Sequence, residues 1–180
     1  MERPSTTDDG ADDRADDDAE QRVLDHLARL GVEHEIVACD PELADTAAFC
    51  EAYGYALEDS ANTILIAGKA DPPRYVACIA LATTRLDVNR TVRHRLGVRK
   101  ASFAGPDETR AVTGMLLGGV TPFGLPDDLP VWVDARVVER PRIVLGGGSR
   151  SCKVVGPPTL LTAQPSVEVV EGLALEPPPG

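Results

Sequence analysis

The chain has 180 residues, of which 43% are hydrophobic and 26% charged, with a formal net charge of −11 at pH 7. That length supports one ordinary domain with a sizeable core, and no apolar run approaches the roughly 20 residues that a membrane-spanning helix needs. The opening MERPSTTDDG lacks the basic flank and apolar stretch of a secretory signal, so a cytoplasmic protein without a membrane partner is expected.

The charge is unevenly spread. Residues 1–20 hold nine acidic and two basic side chains, a balance of −7, which leaves −4 for the other 160 residues. A DDGADDRADDDAE run offers little to bury, so residues 1–19 are expected to form a disordered acidic tail that aids solubility or repels polyanions. Ordered structure is expected over 20–175, with a frayed end at 176–180.

Val23, Leu24, Leu27 and Leu30 recur at helical spacing, and Gly31 closes the pattern as a C-cap. HEIVAC (34–39) alternates as a strand, and Ala44 to Tyr53 reads as a helix ended by Gly54. NTILIAG (62–68) and RYVACIALA (74–82) are β-rich runs around the turn signal Asp71-Pro72-Pro73, and so form a hairpin. A helix is expected over Asp87 to Leu96, with Asp87 as N-cap and Gly97 as stop. A short strand over Ala101 to Ala104 precedes a helix opened by Pro106 and closed by Gly114.

The last third reads as strands and glycine-rich loops. LLGGVTPFGLP (116–126) is a loop, followed by strands at PVWVDARVV (130–138), RIVLGGG (142–148) and SCKVVG (151–156). Pro157-Pro158 opens a short helix, and VEVVEG (167–172) is a closing strand. Helices interleave with strands, but the hairpin breaks strict βαβ alternation. The fold class is therefore α/β with a mixed sheet packed by helices, and not a doubly wound parallel sheet. No GxGxxG or GxxxxGK[ST] follows a strand, which disfavours phosphate-loop nucleotide folds. Cys39, Cys50, Cys78 and Cys152 lie 11, 28 and 74 residues apart, and His26, His34 and His94 form no HxxxH. No metal or other cofactor is expected.

Three segments can carry chemistry. In GGVTPFGLP, Gly118 and Gly119 free the backbone while Pro122 and Pro126 fix φ nearby. Such a loop either presents main-chain groups to a ligand or makes a tight connection between strands. GGGSRSCK (146–153) either approaches a phosphate or ribose edge with Ser149 and Arg150, or is a plain turn. Basic residues gather in TRLDVNRTVRHRLGVRK, where Arg90, Arg93, Arg99 and Lys100 are either a phosphate track or a solvated face. Aromatic residues are scarce at 4%, so extensive base stacking is not expected. Trp132 reads as core or pocket wall, His94 as a surface histidine, and Cys152 as a possible nucleophile without a nearby histidine.

From about Val23 to Leu173, the order NTILIAG, RYVACIALATTRLDVNRTVRHRLGVRKASFAGPDETRAVTG, GGVTPFGLP, LPVWVDARVV, VLGGGSRSCKV resembles the YbaK/prolyl-tRNA synthetase-associated editing domains. The family's GxxP element matches Gly119-Val120-Thr121-Pro122. The resemblance implies a largely antiparallel mixed sheet closed into a pseudo-barrel with flanking helices. It also implies hydrolysis of the ester in mischarged aminoacyl-tRNA, by a protein acting in trans on the acceptor end, with an aminoacyl-tRNA synthetase as a possible partner and no DNA. The implied substrate site is Gly118, Gly119, Val120, Thr121 and Pro122 with Gly147, Gly148, Ser149 and Arg150. Little side-chain acid–base machinery is implied, because an ester beside a ribose hydroxyl needs mainly a positioned water and stabilised charge.

The chain departs from the family at the first strand. Where members usually carry Lys-Thr, it has Asn62-Thr63, which keeps a donor and removes the charge. Lys153, one of three lysines, falls near a position that is acidic in some members. Either the cation has moved there, giving Asn62, Thr63 and Lys153 as the catalytic set, or Lys153 is an exposed strand lysine. Loss of the first-strand lysine also admits a non-catalytic module that holds an aminoacyl-tRNA end or a small ligand.

Overall fold

A computed structural model describes residues 9–177. Its centre is the hairpin read from the sequence: β2 (Ala61–Gly68) and β3 (Arg74–Leu81) pair antiparallel, Asn62 opposite Ala80 and Gly68 opposite Arg74. These strands follow α1 (Asp9–Leu30), β1 (Glu35–Ala38) and α2 (Thr46–Tyr53). After them come β4 (Arg85–Leu86), one π-helical turn (Val88–Val92), α3 (Arg93–Leu96), β5 (Ala101–Phe103) and α4 (Pro106–Thr113). The last third holds β6 (Val131–Asp134), α5 (Ala135–Val138), β7 (Ile143–Gly146) and β8 (Cys152–Gly156). It closes with α6 (Thr159–Thr162), β9 (Val167–Val170) and β10 (Ala174–Leu175).

The main sheet has the order β5-β2-β3-β6-β9 and is mixed, as expected: β5-β2-β3 run antiparallel, and β6 and β9 add parallel. A second sheet, β1-β8-β7, is antiparallel throughout. A parallel bridge between Ser60 and Val144 joins the start of β2 to β7 and so closes the two sheets toward a barrel. Both faces of β3 are buried. Ala77, Ile79 and Leu81 point into the larger core with Val23, Leu27, Phe123 and Leu145, while Val76, Cys78 and Ala80 meet Val92, Leu96 and Trp132 on the other side. Burial on both faces explains why this strand reads as a nearly unbroken apolar run. A third cluster lies beneath α2, where Phe49 and Cys50 pack on Val144 and Val155.

Three expectations change. The disordered acidic tail expected over 1–19 is helical from Asp9, and α1 runs unbroken to Leu30. Ala11, Ala15 and Ala19 lie four apart, in line with Val23 and Leu27, and Ala19 is fully buried. Arg110 pairs with Asp12 at 2.6 Å, and carboxylates in the first turns suit the positive end of the helix dipole. The remainder of the expected tail, residues 1–8, and the last three residues of the expected frayed end lie outside the described residues. The strand expected over 130–138 stops at Asp134, whose buried carboxylate accepts the Arg136 N–H at 3.0 Å and the Ala174 N–H at 2.8 Å. The helix expected from Asp87 opens as a π turn, in which Val92 N–H donates to Asp87 O and the Asp87 carboxylate is taken by Thr91.

α1 is pinned to the loop after Phe123. His26 Nδ1 accepts the Gly124 N–H at 2.8 Å, and its ring meets Phe123 edge-on. Burial, with Arg29 second, pushes the His26 imidazole below its ordinary value of 6.5. Between the lowered folded value and 6.5 the unfolded chain takes up a proton that the folded chain resists, so this stabilisation is present at neutral pH and lost on acidification. We expect His26→Ala to cost about 1 kcal/mol at pH 7.5. The gap between variant and wild-type thermal midpoints should narrow as the pH falls below 6.5; a gap constant with pH would dismiss the neutral-imidazole contact.

Candidate functional site

A cavity of about 270 Å³ opens where the two sheets meet. Its walls are the start of β2 (Ser60 to Ile64), β7 (Val144 to Gly146), the N-terminal turn of α2 with its approach (Ala44, Asp45, Thr46, Phe49), and the loop at Leu117, Gly118 and Val120. Lys153 enters from β8, where it lies opposite Gly146 on one side and Val37 on the other.

Lys153 is buried at 7% exposure. Its ammonium donates to Ala44 O at 2.8 Å and Gly118 O at 3.4 Å, and lies 5.7 Å from the centroid of the Phe49 ring. Both acceptors are neutral carbonyls. Among the described residues no carboxylate lies within ion-pair distance of it. Burial pushes the ammonium below its ordinary value. A desolvated cation with a spare donor and no counter-charge is an electrostatic invitation to an anion or a developing negative charge.

Two further donors stand on β2. Asn62 Oδ1 accepts the Thr46 hydroxyl at 2.7 Å, which leaves the amide N–H groups without an acceptor among the described residues. The Thr63 hydroxyl is buried and has no partner among the described residues. A buried polar atom without a partner costs free energy, and at a cavity wall it marks a position that a ligand or water can satisfy.

The Leu117–Val120 loop is held by backbone-on-backbone contact. Gly148 N–H donates to Gly119 O at 2.8 Å, and a Cβ on Gly119 would sit 2.7–2.8 Å from the backbone of Ser149. A Cβ on Gly146 would strike the Val120 carbonyl, and Gly118 adopts φ +91. The glycines read as backbone freedom are therefore required, and the reason is close approach.

Several expected site residues do not reach the cavity. Gly119 is packed under Ser149, and Thr121 and Pro122 are buried outside the lining, the Thr121 hydroxyl also without a partner. Gly147 is closed off by Cys152, and Gly148 by Ala19 and Val23. Ser149, expected to meet substrate, is buried and donates to Glu20 of α1 while accepting the Ser151 N–H. Arg150 is spent on a clamp, with Nε and a terminal nitrogen on Pro41 O at 3.2 and 3.0 Å and the other on Leu117 O at 3.5 Å and Asp45 at 3.6 Å. Arg150 thus ties together the two segments whose carbonyls hold Lys153. Cys152 donates to Gly147 O, and burial pushes its thiol up to about 11, which leaves it protonated at neutral pH.

The basic segment lies elsewhere. Ala101 pairs with Gly68, and Lys100 O accepts the Lys69 N–H, so Arg99 and Lys100 sit at the far end of β2. Asn62 is six strand residues away, about 20 Å. Arg90 is exposed there, while Arg93 is folded back onto Asn89 O and Arg99 O.

Asp45, Thr46, Ser60 and Phe49 were not singled out in the sequence. An Asp-Thr pair opening an amphipathic helix, and the polar Ser60-Ala61-Asn62-Thr63 run ahead of an apolar strand, were the available signals.

A model of the aminoacyl-tRNA editing domain matches residues 40–163, which takes in every wall of this cavity. The chain belongs to that family. Among relatives of this editing domain, the Bacillus subtilis (strain 168) protein YwhH, described as uncharacterized, is 26% identical over 132 residues, 73% of this chain and 82% of YwhH. Two solved structures share the fold. One, reported as a candidate trans-editing enzyme for prolyl tRNA synthetase, is 21% identical with a TM-score of 0.73, covering 85% of this chain and 95% of its own. The other, the hypothetical protein APE2540, is 20% identical with a TM-score of 0.75, covering 86% and 99%. Among the described residues of this editing domain, no helix is long and apolar enough to cross a membrane.

The contact between its two loops predicts the cost of one methyl group. Gly119→Ala should destabilise the protein by about 1–3 kcal/mol in denaturant melts, the range for overpacking a tight site. An unchanged midpoint would mean that the loops do not touch as described.

Proposed function

We propose that this editing domain is an aminoacyl-tRNA deacylase that acts in trans on mischarged tRNA, with the Lys153 cavity receiving the aminoacyl ester. The observation that carries the reading is the buried Lys153 ammonium, which among the described residues has no carboxylate partner and lines the same cavity as Asn62 and Thr63. Ester hydrolysis develops negative charge on the carbonyl oxygen, and a fixed cation in a water-poor site lowers that barrier. Water adds to the carbonyl carbon, the bond to the ribose oxygen breaks, and that oxygen takes a proton. Thr63 and the Asn62 amide supply the uncharged donors. The name of the solved relative, a candidate trans-editing enzyme for prolyl tRNA synthetase, supports action on a charged tRNA released from a synthetase. The basic residues Arg90, Arg93, Arg99 and Lys100 are assigned to the phosphates upstream of the terminal nucleotide.

One observation favours a second reading. Asp45 is the one acidic residue of the cavity wall, and it lies beside Arg150; among the described residues the wall has no histidine. A module that holds the charged end without cleaving it also fits that wall.

The test is turnover of purified protein against a panel of mischarged tRNAs. Wild-type protein should release the amino acid from at least one, and Lys153→Met should lower the rate by about 100-fold, the loss typical of one removed oxyanion donor. Thr63→Val should slow turnover while leaving stability unchanged or raised, because it removes a hydroxyl that has no partner. Analogue binding without cleavage across the panel would establish the holding module instead.

A further inference from the structure

We infer that the same cavity binds free small α-amino acids through their carboxylate, so that the amino acid released from tRNA is a competitive ligand of its own site. The inference rests on the cavity being the aminoacyl site, and adds a ligand class and a regulatory consequence to it.

The argument is one of donors and acceptors. Lys153 offers an N–H beyond the two held by Ala44 O and Gly118 O, Asn62 offers its amide, and Thr63 a hydroxyl with no acceptor. Against these three donors the wall sets a single carboxylate, Asp45, which is 80% exposed at the rim and lies 3.6 Å from Arg150. The interior is thus rich in donors, and its one cation, Lys153, has no ion-pair partner among the described residues. A carboxylate answers it better than an ester does, because its two oxygens accept several hydrogen bonds and it brings the missing charge.

Hydrolysis changes the bound group in that direction. The ester enters uncharged. Water contributes the new oxygen, the ribose oxygen leaves with a proton, and the acid that forms loses its own proton to solvent. The acyl group therefore ends as an anion beside Lys153, better matched to the cavity than at the start. Size agrees with a small occupant, for 270 Å³ lies just below the roughly 300–1,000 Å³ of drug-sized pockets. Asp45 at the rim is placed to receive an α-ammonium group.

An anion-binding site can also be filled by phosphate from the terminal nucleotide, and titration separates the two sources. Calorimetry with the protein should use glycine, alanine, serine, threonine, cysteine and proline in one arm and inorganic phosphate and AMP in the other. At least one amino acid should bind, its carboxamide counterpart should not, and Lys153→Met should weaken binding by about tenfold or more, as expected for loss of a charge-assisted hydrogen bond. The wild-type comparison of acid with carboxamide stands even if the variant does not fold. The same amino acid added to a deacylation assay should raise KM and leave kcat unchanged.

Binding of phosphate or AMP alone, equal binding of acid and carboxamide, or no amino acid binding would overturn the inference. Deacylation without amino acid binding removes this inference alone. Amino acid binding without deacylation of any tRNA removes the hydrolytic reading and keeps the ligand.

Discussion

Two glycine-bearing loops touch main chain to main chain, and the cavity exists because no Cβ keeps them apart. Gly119 lies under Ser149, Gly146 under Val120, and Gly148 N–H closes the contact on Gly119 O. That contact places Gly118 O over β8, where it meets the ammonium of Lys153. Arg150 brings in the third party by tying Leu117 to Pro41 and Asp45, so that Ala44 O reaches the same ammonium. The chemistry of the site therefore depends on geometry set by backbone. The side chains nearest the loops, Ser149 and Arg150, serve as fasteners.

α1 extends this arrangement outward. Its buried face backs the Gly148 loop through Ala19 and Val23, and Glu20 takes the Ser149 hydroxyl. One helix thus supports the loop from behind while the cavity lies in front. The acidic residues on its solvent side lend the molecule much of its negative charge. A polyanion is accordingly repelled from that flank and drawn toward faces where basic residues collect.

Much of the fold was legible in the sequence because its signals are local. β2 and β3 announce themselves by β-rich runs around a proline turn, and Gly31, Gly54, Gly97 and Gly114 stop their helices in the left-handed conformation. The first half of α1 was not legible, because an aspartate-rich run has the composition of disorder. Its stabilising partners, Arg110 and the Gly148 loop, lie about a hundred residues away in sequence. The site divides along the same line. Asn62, Thr63, Gly118, Val120 and Lys153 lie on the cavity. Arg150 and Ser149 have the right chemistry for a ligand but the wrong neighbours. The basic track was legible as a charge cluster, whereas its distance from the cavity follows from the pairing of β5 with the far end of β2.

The central claim is that the Lys153 cavity receives the aminoacyl end of tRNA. A crystal structure with a non-hydrolysable aminoacyl-adenosine, its ester oxygen replaced by nitrogen, tests it most directly. The aminoacyl carbonyl should lie within hydrogen-bond distance of Lys153 Nζ, with the Thr63 hydroxyl newly partnered. Density for the analogue in the groove beside His26 and Gly124, with the Lys153 cavity unchanged, would contradict it.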